Sequence, residues 1–112
     1  MSQAKDWQLL IDKIVAFRDE RDWKQFHNPK DLSIALAIEA SELQESFLWK
    51  KVEDVSVEKV KEELADVITY TLLIADHYSL DIEEIVSNKI QLNAEKYPVE
   101  KAKGSAKKYN EL

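Results

Sequence analysis

The sequence predicts an all-α protein. Three observations carry that expectation. The 112 residues include one glycine and two prolines, and strand-rich folds need many more of both for their turns. Apolar residues recur at helical spacing over long stretches. Helix-capping residues stand at the starts of those stretches.

The first helix is expected from about Ala4 to Asp22. Trp7, Leu10, Ile11, Ile14, Val15 and Phe17 recur there at helical spacing, with charged residues between them. "HNPKD" breaks it, because Pro29 constrains its own φ and its neighbour. Asn28 or Asp31 can cap a second helix running to about Trp49. "KKVEDVS" is a polar connector. Ser56 caps a third helix to about His77. Asp81 with Glu84 has the D-x-x-E spacing of a capping box and opens a fourth, which ends near Tyr97, where Pro98 stops it. The tail, about residues 99–112, holds the sole glycine and reads as extended. The expectation is a four-helix bundle over about residues 4–98 within a single domain, residues 1–112, with no internal repeat.

Charge and composition exclude several classes. A formal net charge of -6 disfavours a nucleic-acid backbone or an anionic membrane as partner. A small anionic ligand stays possible, since a bound divalent cation reverses the local sign. There is no cysteine, which excludes disulfides, thiolate chemistry and cysteine-based zinc sites. The polar N-terminus "MSQAKDWQ" has no signal-peptide core, and no apolar run reaches the roughly 20 residues that span a bilayer. A soluble cytoplasmic protein is expected.

Helices two and three are apolar on more than one side. At 100° per residue, Leu32, Leu36, Ala40, Leu43 and Phe47 form one stripe, with Ile34 and Ile38 opposite. Leu64, Val67, Ile68, Thr71 and Ala75 form a face of helix three, with Leu73 pointing away from it. A helix that is apolar all round is buried all round. A chain this short buries two such helices most simply against another copy, so a homo-oligomer built on helices two and three is expected.

Within the apolar second helix stands "IEASE", which places Glu39 and Glu42 about 60° apart beside the core stripe. Glu45 falls opposite and is expected in solvent. In "KEELADVITY", Glu63, Asp66 and Tyr70 share a narrow strip of helix three. Most E-x-x-E pairs on helices are simply solvated. Here Glu39, Glu42 and Asp66 lack the Lys or Arg at i±3 or i±4 that usually offsets repulsion, and Glu63 alone has one, Lys59. Uncompensated carboxylates beside a core are costly unless paired or metal-bound. Oxygen donors without cysteine suit a hard cation, Mg²⁺ first and Mn²⁺ second. A di-iron site is excluded, because it needs E-x-x-H and neither His27 nor His77 has a glutamate three residues before it. A helical binding module with a structural ion, and a bundle with solvated acids, are the competing readings. Trp7 reads as a core anchor and His77 as a helix-end residue near the C-terminal dipole.

"IEASE" followed by "EELAD" resembles the E-E-x-x-E … E-x-x-D signature of the MazG-like all-α nucleoside triphosphate pyrophosphatases. "RDWKQFH", "LW" and "GSAKKY" extend the resemblance, towards the dCTP pyrophosphatase branch, from about Phe17 to Leu112. One position departs: the first Glu of the signature is Ile38 here, as an apolar residue or Gly is in that branch. The resemblance implies a homotetramer, a dimer of dimers, with sites at subunit interfaces. It implies Mg²⁺ held by Glu39, Glu42, Glu63 and Asp66. It also implies cleavage of a nucleoside triphosphate, dCTP or a modified pyrimidine relative first, to the monophosphate and pyrophosphate in nucleotide-pool house-cleaning. Glu39 or Glu42 would orient the attacking water. Trp23, Phe26, His27 and Trp49 would surround the base, and Tyr70 would pack on the sugar. Lys89 and Lys108, with Lys107, would neutralise the triphosphate, and Asn93 would bond a phosphate or a metal ligand.

Overall fold

The structure, a computed structural model, describes residues 3–112. Its elements are α1 (Gln3–Glu20), α2 (Pro29–Glu45), α3 (Val57–His77), α4 (Ile82–Lys96) and a short α5 (Val99–Ala102), with single 3₁₀ turns at Lys24–Phe26, Val52–Asp54 and Tyr109–Glu111. The chain divides into two compact units, one ending at Leu80 and the other Asp81–Leu112. No described helix is long and apolar enough to cross a membrane.

In the first unit α2 packs extensively along α3, and α1 packs on α3 over a smaller area. Ile11, Leu32, Leu72, Leu73 and Ala75 are the buried apolar side chains. Each of the larger ones contributes about 1.5–3 kcal/mol by leaving water. Leu73 is therefore a core residue and does not point away, while Leu64 and Ile68 of the expected core face remain exposed. The buried side of α3 is thus rotated from the apolar stripe and includes Glu63.

The helix starts follow the capping signals. Asn28 Oδ1 accepts the Asp31 backbone N–H at 2.9 Å, and Pro29 occupies the first turn of α2, where its missing N–H costs nothing. Ser56 Oγ accepts the Lys59 N–H at 3.3 Å. Asp81 Oδ1 accepts the Glu84 N–H at 3.0 Å.

Two helix ends use a left-handed residue in place of glycine. Asp22 (φ 54) and Ser79 (φ 54) let Trp23 N–H reach the Arg18 carbonyl at 3.1 Å and Leu80 N–H reach the Ala75 carbonyl at 2.8 Å. Both form the six-to-one bond of the Schellman motif.

α2 stops at Glu45 rather than near Trp49. The Ser46 hydroxyl bonds back to the Glu42 carbonyl at 3.3 Å. Phe47 and Leu48 N–H then bond three residues back, to Gln44 and Glu45, which tightens the last turn and reverses the chain.

The tail is not extended throughout. Pro98 begins α5, its carbonyl accepting the Lys101 and Ala102 N–H groups at 3.0 and 2.9 Å. Gly104 (φ 76) turns the chain after it. Tyr109 meets Tyr97 edge-on with ring centroids 6.2 Å apart, under the Lys96 ammonium at 5.0 Å.

Candidate functional site

The carboxylates come from the α2–α3 interface. Glu39, Glu63 and Asp66 each offer one oxygen, and all three oxygens lie within 4.8 Å of one another. α3 presents Glu63 and Asp66 one turn apart, and α2 brings Glu39 across to them. Glu63 is 6% exposed. Glu63 Oε2 and Glu39 Oε2 are both buried without a hydrogen-bond partner, an arrangement that costs folding free energy unless something outside the chain meets them. Lys59 Nζ reaches Glu63 Oε1 at 3.6 Å.

Glu42 stands outside the converging triple but beside Glu39. Burial pushes the Glu39 carboxyl up to about 7, helped by Glu42 and then by the Asp66 and Glu63 charges. The donor set is all carboxylate oxygen and partly buried, which fits a hard divalent cation. Glu45 is exposed, as expected.

A pocket of about 200 Å³ opens beside the triple, with Asp66 in its wall. Phe17, Trp23, His27 and Tyr70 line it with Thr69. Phe17 and Trp23 meet edge-on at 5.7 Å, and the Arg21 guanidinium lies 3.7 Å over the Phe17 ring. His27 Nδ1 is buried without a partner, and burial, then the Arg18 charge, lowers the pKa of its ring. Tyr70 is raised by burial and then by the Glu39 and Asp66 charges.

Thus Trp23, His27 and Tyr70 gather at one pocket with Asp66. Phe26 and Trp49 do not join them in the same chain. Phe26 is 63% exposed and Trp49 94% exposed, and Trp49 holds φ 61, a conformation a bulky residue rarely adopts. Lys89 and Asn93 lie one turn apart on α4, and Lys108 precedes the last 3₁₀ turn, all in the second unit. Phe17 and Thr69 belong to the pocket although sequence reasoning did not place them there. Thr69 was within reach, because Asp66, Thr69, Tyr70 and Leu73 follow the i, i+3, i+4, i+7 rule of one helix face.

A helical unit that converges carboxylates from consecutive helices beside an aromatic pocket defines the class: an α-helical protein with an oxygen-donor cluster that could hold a cation and a pocket adjoining it. The MazG-like family model matches residues 34–112, and the chain belongs to that family. It is 38% identical over 104 residues to mouse dCTP pyrophosphatase 1, covering 86% of this chain and 61% of that protein. It is 36% identical over 104 residues to the human dCTP pyrophosphatase 1, with the same 86% and 61% coverage. The chain thus spans about three-fifths of the length of these curated relatives. A crystal structure of a pyrophosphatase from Archaeoglobus fulgidus superposes with a TM-score of 0.73 at 37% identity, covering 81% of this chain and 91% of that one.

Proposed function

We propose that the protein is a Mg²⁺-dependent nucleoside triphosphate pyrophosphohydrolase, acting on dCTP or a modified pyrimidine deoxynucleotide and clearing such nucleotides from the pool. One observation carries the reading: Glu39 and Glu63, each with one buried and unpartnered carboxylate oxygen, converge with Asp66, which stands in the wall of an aromatic pocket. The names of the relatives supply the substrate class, which a fold alone would not.

Glu39, Glu63 and Asp66 would hold the ion, with Glu42 beside them. When bound, Mg²⁺ neutralises phosphate charge and so lets a polyanion approach an acidic protein. Water attacks the α-phosphorus, the α–β bridging bond breaks, and pyrophosphate leaves with the bridging oxygen. Glu42, next to Glu39 but outside the triple, is the carboxylate left free to orient that water and take its proton. Trp23 and His27 offer the base an apolar wall and a polar edge, and Tyr70 borders the sugar. Lys89, Asn93 and Lys108 are assigned to the triphosphate through the family resemblance.

The active form is a homotetramer. Ile34 and Ile38 of α2 are 50% and 53% exposed, and Leu64 and Ile68 of α3 are 44% and 42% exposed, a concentration of apolar surface that a second copy would cover. Trp49, exposed and held at positive φ, would then enter the site of a neighbouring copy, where the cost of its backbone conformation has a use.

The test is product analysis. The protein is incubated with each dNTP and NTP, with Mg²⁺ or EDTA, and the nucleotides are resolved by anion exchange. Monophosphate and pyrophosphate, absent with EDTA and from Asp66→Asn, are expected. Diphosphate with free phosphate, or no turnover of any nucleotide, would overturn the reading.

A further inference from the structure

Lys59 is a lysine in an awkward place. It stands in the first turn of α3, where its own N–H bonds the Ser56 cap, and a cation there opposes the helix macrodipole. It also precedes its partner in sequence, the weaker order for an i,i+4 pair. Yet its ammonium lies 3.6 Å from Glu63 Oε1. Glu63 is nine-tenths buried, and its other oxygen meets nothing in the protein. Among the described residues, no other ion pair reaches Glu39, Glu63 or Asp66, since Lys61 on the same turn is spent on Glu58 at 3.2 Å. The Lys59 side chain is 56% exposed while that of Glu63 is 8% exposed. The ammonium therefore reaches in from solvent on a flexible stem and can leave again.

We propose that Lys59 is a displaceable internal counter-ion of the cation site: it balances Glu63 while no metal is bound and competes with the divalent ion for that carboxylate. The inference rests on the metal-binding reading of Glu39, Glu63 and Asp66. It adds a positioning residue that sets how tightly the ion is held. Two consequences separate it from a merely structural salt bridge. Removing the charge must tighten metal binding, because a competitor and a like charge are both gone. It must also destabilise the metal-free protein more than the metal-loaded one.

The experiment titrates the full chain with Mn²⁺ alone, following the free ion by its EPR signal, for wild type, Lys59→Met, Lys59→Arg and Lys61→Met. Lys61→Met removes the same charge from the same turn but from a different partner. Lys59→Met is expected to bind Mn²⁺ about threefold to tenfold more tightly, the size of one unit charge acting on a divalent ion through a largely solvated path. Lys59→Arg and Lys61→Met should stay within about twofold of wild type, because arginine keeps the charge and Lys61 serves Glu58. Thermal melts should show Lys59→Met below wild type in EDTA and level with it in saturating Mn²⁺. Equal or weaker binding by Lys59→Met overturns the counter-ion role while leaving the site itself standing. Equal tightening by Lys61→Met also overturns it, showing only an effect of net charge. Failure of wild type to bind Mn²⁺ overturns the metal site, and the counter-ion role with it.

Discussion

Glu39 on α2 and Glu63 on α3 each turn one carboxylate oxygen, Oε2, into a buried position where no group of the protein bonds it, while the two residues hold oxygens within 4.8 Å of each other and of Asp66. Converging negative charge is a folding liability, and Lys59, 3.6 Å from Glu63 Oε1, offsets only part of it. Conservative neutralisation should therefore separate stability from function. Glu63→Gln is expected to melt higher than wild type in EDTA and to lack the rise in melting temperature expected of wild type with Mg²⁺. Turnover should fall by about a hundredfold or more, since even outer-shell partners of a metal cost about 10–100-fold. Calorimetric melts with and without Mg²⁺, set beside initial rates, check both halves. A variant less stable than wild type in EDTA would show that the Lys59–Glu63 pair outweighs the repulsion among the acids.

Two groups near the site respond to pH in opposite senses. The Glu39 carboxyl is raised from 4.5 to about 7 by burial, Glu42 and the neighbouring acids. Its contribution to stability is fully present below pH 4.5 and is lost as pH rises through 7. The His27 ring is lowered from 6.5 by burial and Arg18. Its contribution is present above 6.5 and is lost as pH falls towards the depressed folded value. In EDTA the two slopes oppose each other where their windows overlap, so the stability of the metal-free protein should change less there than that of the Mg²⁺-loaded protein. Saturating Mg²⁺, bound as proposed, would hold Glu39 ionised and leave the His27 slope, so stability should then fall as pH drops below 6.5. His27→Gln should remove that fall. Urea melts across pH 5–8 are the measurement, and a metal-free curve as steep as the Mg²⁺ curve would contradict the assignment.

Ser79 ends α3 in the left-handed region (φ 54), a conformation that costs a residue with a Cβ about 1 kcal/mol relative to glycine. Its backbone N–H bonds the Asp76 carbonyl at 3.1 Å, which glycine retains. Ser79→Gly is expected to raise stability by about 0.5–1 kcal/mol without altering Mg²⁺ binding. Chemical denaturation in EDTA reads the change directly.

The exposed stripe of α2 carries the oligomer reading. Ile38 is 53% exposed and precedes Glu39, so its side chain leaves the helix about 100° from the carboxylate. Ile38→Glu should reduce the mass measured by light scattering, while leaving the far-UV helical signal in place. A wild-type monomer at micromolar concentration would sink the tetramer at once.

The residues also show how far one dimension carries. The helices and their caps were readable because they rest on local rules: Asn28, Ser56 and Asp81 cap as their spacing says. The convergence of Glu39 with Glu63 and Asp66 was half readable, because helical spacing put Glu63 and Asp66 on one strip, while the approach of α2 to α3 depends on packing. Leu73 was misplaced because periodicity finds an apolar face and not which face the neighbouring helix takes. The early stop of α2 was hidden because Ser46 competes for a backbone carbonyl, which no apolar pattern records. Phe17 was read only as one of the apolar positions of the first helix and proved to be half of an aromatic pair with Trp23. That contact depends on the left-handed turn at Asp22, where no glycine advertises it.

Trp49 offers the sharpest test of a shared site. Its indole is 94% exposed and absent from the pocket that holds Trp23 and His27. If it serves a neighbouring copy, a subunit carrying Trp49→Ala keeps an intact carboxylate set but lacks the indole supplied to its neighbour. A Glu63→Gln subunit has the opposite defect. Each variant alone should turn over poorly, Trp49→Ala mainly through a raised KM and Glu63→Gln through kcat. Unfolding the two together and refolding the mixture makes hybrid oligomers in which some sites join an intact carboxylate set to an intact Trp49. Activity in the mixture should then exceed the sum of the separately refolded parents several-fold. If Trp49 serves its own chain, no hybrid holds a complete site, and the mixture should show only that sum. A Trp23→Ala partner in place of Trp49→Ala should also give only the sum, because Trp23 and the carboxylates share one chain.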